Sequence, residues 1–399
     1  MLTFSRDYCY TSVMYIAILG RQPALGMAEL ERLFGDVTWF SDQSAVINVD
    51  SFSIEQLGGT LKAGRIVAEL SNADWRRASM KLVQAYTQAW SGTEGKVTLG
   101  ISAYGFNVSP REVQKTGIIL KQKLKANGVS LRMIPNQDNE LSTATSHHNK
   151  LGLSDNKVEL LVVRSKNGKV IIAESNGAQN ITALARRDQE RPKRDAFVGM
   201  LPPKLAQIMI NLTGKHSDGD RILDPFCGTG VIPQESLLLG YDAYGTDLAD
   251  KMIDYTNANL QWLKDTHHVH GSWTVDQGDA MDAIWNSPID AVACESYLGQ
   301  PFSAPPSSSK LIEVRGNCNH IISQFLRNML GQINVGTPLC VAVPAWRDGN
   351  GDFTHLPLID QLEQLGYARV PFKNVRNSEL LYYREDQIVA RELLVLEKI

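Results

Sequence analysis

Asp224-Pro225-Phe226-Cys227-Gly228-Thr229-Gly230 lies between a short apolar run, Arg221-Ile222-Leu223, and a second stretch from Val231 to Leu239. That order reads as strand, glycine turn, helix: the first βα corner of a doubly wound sheet, where ligands bind beyond the carboxyl ends of the strands. A dinucleotide fingerprint would place three glycines here as GxGxxG and seat a pyrophosphate on the helix N-terminus. This corner has Pro233 at the third glycine position and opens with an acid, Asp224, which repels an anion. A zwitterion carrying an ammonium and a sulfonium is the better match, with Gly228 and Gly230 allowing close approach to the backbone. S-adenosylmethionine carries both groups. The competing reading is a glycine-rich turn with no ligand, and seven matched positions are far more specific than a lone glycine pair.

The rest of the chain sets the frame for that corner. Its 399 residues, 43% of them hydrophobic, suffice for two or three domains with sizeable cores. No stretch approaches the ~20 apolar residues of a membrane span. Met1 to Tyr10 lacks a basic region followed by an apolar block, so no secretion signal is expected and a cytoplasmic location is the default. The five cysteines, Cys9, Cys227, Cys294, Cys318 and Cys340, form no CxxC pair and read as free thiols. His147-His148 and His267-His268 are adjacent pairs without the i, i+4 spacing of helical metal ligands, so no metal is expected. The net charge is −3, unevenly spread: residues 1–196 carry 25 Lys and Arg against 19 Asp and Glu, the remainder 15 against 24. The first half therefore has the sign of a phosphate-backbone partner, unless the difference is ordinary surface scatter.

Read in order, Met14 to Leu19 is a strand, Pro23 to Phe34 a helix, Val46 to Val49 a strand and Ser53 to Leu57 the start of a helix. Together with Leu61 to Leu70 they suggest a small α+β module over 1–70. A second module over 71–182 has a strand from Val97 to Tyr104 and a helix from Pro110 to Ala126 ended by Asn127-Gly128. Its next strand runs from Val129 to Pro135, and a hairpin turns at Asn167-Gly168. Arg111, Lys115, Lys121, Lys123 and Lys125 make that helix basic, which is most simply a solvated face. Residues 183–198 read as an extended charged linker in which Arg186, Arg187, Arg191, Lys193 and Arg194 could meet phosphates, with Lys204 just beyond. The last part, 199–399, holds the corner. Its second strand, Asp242 to Thr246, ends in Asp247, an acid suited to two ribose hydroxyls, and Asp279-Ala280 after the third strand is placed for an adenine.

These residues resemble the THUMP-domain tRNA guanine-N2 methyltransferases of the guanosine-10 type over nearly the whole chain. The likeness rests on the corner, on Gly20-Arg21-Gln22-Pro23 with Ala28-Glu29-Leu30, and on Arg186-Arg187-Asp188 with Arg191-Pro192 and Arg194-Asp195. It also takes in Gly199-Met200-Leu201-Pro202-Pro203-Lys204 and, near the end, Tyr383 to Gln387 with Arg391-Glu392. The resemblance implies an α/β protein: a Rossmann-like class I methyltransferase domain preceded by a ferredoxin-like module and a THUMP module that grips tRNA. Asp224, Phe226, Gly228, Gly230, Asp247, Asp279 and Ala280 would then hold S-adenosylmethionine. Some relatives need a small activating protein, which this sequence neither requires nor excludes.

One motif departs from the family. After the fourth strand, Ala291 to Cys294, the family carries Asp or Asn, then Pro-Pro, then an aromatic; here the stretch is Glu295-Ser296-Tyr297-Leu298-Gly299-Gln300-Pro301. An acceptor must hold the N–H of a base amine so that its lone pair faces the methyl group, while an aromatic face stacks on the base. Glu295 can accept and Tyr297 can stack, but the acceptor is one methylene longer and the aromatic one position early. The expectation is a working variant. The alternatives are an impaired RNA-binding protein that keeps the cofactor pocket, an N6-adenine methyltransferase, or carbon methylation through Cys294.

Overall fold

The computed structural model describes residues 14–51, 53–195, 201–267 and 269–399. Cys9, residues 196–198 of the expected linker, Gly199, Met200 and His268 lie outside these. The chain divides into two compact units: residues 1–23, 34–55 and 60–182, and residues 24–33, 56–59 and 183–399.

The first unit is built on one sheet of eight strands. In chain order its elements are β1 (Met14–Leu19), β2 (Val37–Ser41), β3 (Ser44–Asn48), β4 (Thr60–Leu70), α2 (Trp75–Ala89), β5 (Lys96–Tyr104), α3 (Pro110–Ala126), β6 (Ser130–Met133), α4 (Thr143–His148), β7 (Lys157–Arg164) and β8 (Val170–Ala178), while α1 (Pro23–Phe34), between β1 and β2 in sequence, falls almost wholly in the second unit. The strand order is β2-β3-β1-β4-β8-β7-β5-β6. No break falls at residue 70, because β4 pairs antiparallel with β8 from Lys62 to Leu70 and so joins the strands of both expected modules. Where a helix was expected from Ser53, only the single 3-10 turn Ile54–Gln56 forms. Ser109 and Glu112 close a capping box on α3, and its lysines at 115, 121, 123 and 125 face solvent while Val113, Leu120 and Leu124 are buried. Charge is also used inside this unit. The Lys62 ammonium, 1% exposed, donates to Leu141 O at 2.6 Å and pairs with Glu159, which accepts from Ser102 Oγ as well.

The second unit contains α5 (Ile181–Gln189), α6 (Pro203–Leu212), β9 (Arg221–Asp224), α7 (Val231–Leu238), β10 (Asp242–Asp247), α8 (Asp250–His267), β11 (Trp273–Gln277), β12 (Ala291–Glu295), α9 (Ser308–Leu330), β13 (Pro338–Arg347), β14 (Phe353–Thr354), β15 (Tyr367–Arg369), β16 (Leu381–Tyr382) and β17 (Val389–Lys398). Its sheet runs β11-β10-β9-β12-β13-β17-β15, parallel from β11 to β13 and antiparallel from β17 on. The order reverses between β9 and β12, which makes their carboxyl ends the binding crevice of a doubly wound sheet. Val314, Cys318, Ile322, Phe325 and Met329 recur along one face of α9 and bury it against the sheet core.

Residues 24–33 of α1 also belong to this unit. Glu29, fully buried, accepts from Gly58 N at 2.9 Å, Gly59 N at 2.8 Å and Asn211 Nδ2 at 2.8 Å. Burial pushes its carboxyl up to about 7, against the pull of these donors and of Lys204. Arg32 donates to Leu212 O, Thr213 O and Glu397, and Glu31 accepts from Lys373 N and Asn374 N.

Candidate active site

The corner takes the expected shape for a local reason. Gly228 and Gly230 have φ of +52° and +82°, where side chains are disfavoured, and a Cβ on Gly230 would stand 2.8 Å from Thr256 Cγ2. Thr256 and Asn259, one turn apart on α8, brace the turn: Thr256 Oγ1 donates to Gly228 O at 2.9 Å and Asn259 Nδ2 to Thr229 O at 2.8 Å. Neither residue was singled out from the sequence, although their i, i+3 spacing in a polar helix marks a shared face.

A cavity of about 500 Å³ opens at the carboxyl ends of β9 and β12. Asp224, Phe226, Gly228, Asp247, Glu295 and Tyr297 all line it, so the structure gathers residues spread over more than seventy positions. Asp224 is 2% exposed and accepts one N–H, from Phe226 at 3.1 Å. Burial, with the nearby Asp247 and Glu295 carboxylates adding to it, pushes the Asp224 carboxyl well above its usual range. Asp247 is pinned by Gly228 N at 2.9 Å and Ala249 N at 3.0 Å, one to each oxygen, which orients it and leaves lone pairs for hydroxyl donors. Glu295 closes β12. Ser296 then donates twice to Ala342 O, from N at 3.0 Å and from Oγ at 2.8 Å, and Gly299 turns the chain with φ of +79°. These contacts fix the loop where the family has Pro-Pro. The Tyr297 ring, 43% exposed, is free to stack.

Gly230, Asp279 and Ala280, also expected to hold the cofactor, fall outside the lining of the cavity. Asp279 caps its own turn by accepting from Met281 N at 2.9 Å, and Ala280 is buried in the core beside Trp285. Gly278 N donates to Asp247 O, so the pair still adjoins the second strand end. Cys227 and Cys294 are buried and their thiols are pushed well up by burial, which keeps them protonated and poorly suited to nucleophilic attack. Among the described residues no cluster of three or more His, Cys, Asp or Glu is arranged to hold a metal, and no helix is long and apolar enough to cross a membrane.

The stretch expected as an extended linker is instead helical up to Gln189 and docks on the corner. Arg191, 3% exposed, donates to Thr229 Oγ1 at 3.3 Å. Arg187 pairs at 3.1 Å with the buried Glu235 of α7, and the Lys193 backbone bonds Asn259 in both directions. The charge of these two arginines is spent inward because Glu235 sits in an otherwise closely packed helix and needs a cation. That acid in the run Val231–Leu239 was the sequence signal for them. Arg186, Lys193 and Arg194 remain exposed, while Lys204 on α6 acts electrostatically on Glu29.

Residues 191–314 match a protein family described as RMKL-like, methyltransferase domain. This part of the chain is similar to a methyltransferase domain. Its switch-point cavity, lined by Asp224, Gly228 and Asp247, lies where a doubly wound sheet takes its ligand. The tRNA (guanine(10)-N2)-dimethyltransferase of Methanothermobacter thermautotrophicus is 32% identical over 163 residues, 40% of this chain and 44% of that protein. The enzyme of the same name from Pyrococcus abyssi is 32% identical over 116 residues, 28% of this chain and 32% of that one. The chain thus spans less than half the length of these curated relatives. In fold it is similar to TrmN from Thermus thermophilus, with a TM-score of 0.51 at 18% identity, over 97% of this chain and all of that one.

Proposed function

We propose that the protein transfers a methyl group from S-adenosylmethionine to an exocyclic base amine of tRNA, the N2 of a guanosine at position 10. The observation that carries this reading is the meeting of Asp224, Asp247, Glu295 and Tyr297 around one cavity at the switch point. The relatives' names supply the nucleotide. S-adenosylmethionine brings an electrophilic methyl group on a good leaving group. Asp224 and the Gly228-Gly230 backbone hold its amino acid end, Asp247 its ribose, and the Asp279 turn lies on the adenine side. Glu295 accepts an amine hydrogen and turns the nitrogen lone pair toward the methyl group, and Tyr297 stacks on the base. The proton leaves after transfer, so Glu295 serves as an acceptor and no prior deprotonation is required.

The first unit would supply the THUMP-type grip on tRNA, with Arg186, Lys193 and Arg194 meeting phosphates near the site. A tRNA substrate would place the enzyme in the cytoplasm. The test is transfer of labelled methyl to unmodified tRNA transcripts, with guanosine-10 replaced in a control. Label that vanishes with the replacement supports activity and site together. Absence of label with tRNA binding intact would favour the impaired RNA-binding protein, unless cell extract restores transfer and so points to an activating partner.

A further inference from the structure

Among the described residues that line the cavity, Arg391 is the single basic side chain. The ligand proposed above carries two positive groups and one carboxylate, so a lone cation in its pocket would be left to meet that carboxylate unless its charge is committed elsewhere. It is: Arg391 Nε donates in close contact to Glu295 Oε1, and the two side chains are 10% and 14% exposed. The sheet register explains how residues two strands apart meet. Glu295 of β12 is paired with Ala342 of β13, and Arg391 of β17 with Pro344. Ala342 and Pro344 alternate onto the same face, so the strand between acid and base carries only short side chains there. Gln387, Val389 and Arg391, spaced two apart, line the cavity together.

We propose that Arg391 is a positioning residue: it clamps Glu295 through Oε1 so that Oε2 is presented to the base amine. The inference rests on the function proposed above and deepens it. A glutamate has one more rotatable bond than the family's Asp or Asn, so it needs an external clamp to aim its oxygen. The planar guanidinium provides one in a fixed geometry that a lysine ammonium cannot copy. The same contact offsets one of three carboxylates, Asp224, Asp247 and Glu295, crowded at the crevice.

The test uses the full chain and measures steady-state transfer to tRNA for Arg391→Met and Arg391→Lys, each with and without Glu295→Asp. Loss of a clamp that aims the acceptor should lower kcat by roughly 100-fold in Arg391→Met, with both KM values within about threefold of wild type. Arg391→Lys, which keeps charge without the fork, should fall between them. In the Glu295→Asp background, which gives the family's shorter acceptor and draws the carboxylate back from the guanidinium, Arg391→Met should cost less than about twofold. An equal loss in both backgrounds, an unchanged kcat in Arg391→Met, or a change in KM alone would overturn the assignment. Thermal melting and cofactor binding report whether each variant folds, and if Arg391→Met does not, the lysine pair carries the cycle. Wild-type protein that methylates no tRNA would sink the proposed function instead, and is told apart by the failure of that control.

Discussion

Glu29 in α1 and Asp224 at the end of β9 are both buried carboxylates, 0% and 2% exposed, and burial raises the proton affinity of each. Their surroundings differ in kind. Glu29 receives three N–H donors from Gly58, Gly59 and Asn211, all within its own unit, and nothing lines up against it with like charge. Asp224 receives one, from Phe226, and faces Asp247 and Glu295. The first carboxylate is completed by the fold; on the function proposed above, the second is completed by the ligand's ammonium. A donor count therefore separates a structural acid from a binding acid where burial alone does not.

The contrast breaks most sharply on substitution. Asp224→Asn should weaken S-adenosylmethionine binding by roughly 100- to 1000-fold, the cost of losing a buried charge partner, while leaving the thermal midpoint unchanged or higher. Calorimetric titration beside a melting curve checks both, and a large drop in melting temperature would make Asp224 structural too. Glu29→Ala should do the reverse. Stranding three N–H donors should cost about 2–3 kcal/mol of stability, a fall of roughly 5–10 °C, with cofactor affinity in the folded protein unchanged.

The pH dependence sharpens the Glu29 side. Its carboxyl is raised from 4.5 to about 7 in the folded state, so its contribution is fully present below 4.5 and is lost as pH rises toward 7. Denaturant unfolding at pH 5 and pH 8 should show Glu29→Gln, which cannot ionise, losing less stability over that interval than wild type. The smallest effect concerns the connector, where charge is likewise either spent inside or turned outward. Lys193→Ala and Arg194→Ala should each lower tRNA affinity several-fold and reduce the salt slope by about one, as loss of a phosphate contact does. Arg191→Ala should instead lower stability.

Much of the second unit is readable along the chain because its signals are local. The Asp224–Gly230 corner, the acid closing β10 and the helix opened by Pro202-Pro203 each depend on neighbours a few residues away. That Glu295 and Tyr297 lie together just after the fourth strand is legible for the same reason, and both line the cavity. Other features come from residues far apart in sequence. Nothing near position 29 announces a carboxylate closed by Asn211, and nothing near 191 says that an arginine in a charged run turns inward to Thr229. The break expected at 70 disappears because β4 finds β8 a hundred residues on, and the hydrogen bonds of a sheet carry no mark in local composition. By itself the sequence determined the βα corner and the succession of strands and helices that follows it, since turn sterics and hydrophobic period act over short range. Only the tertiary structure decided which charges are buried and paired, and that Arg391 reaches Glu295 across β13, since side-chain partners on a sheet are set by strand order and register.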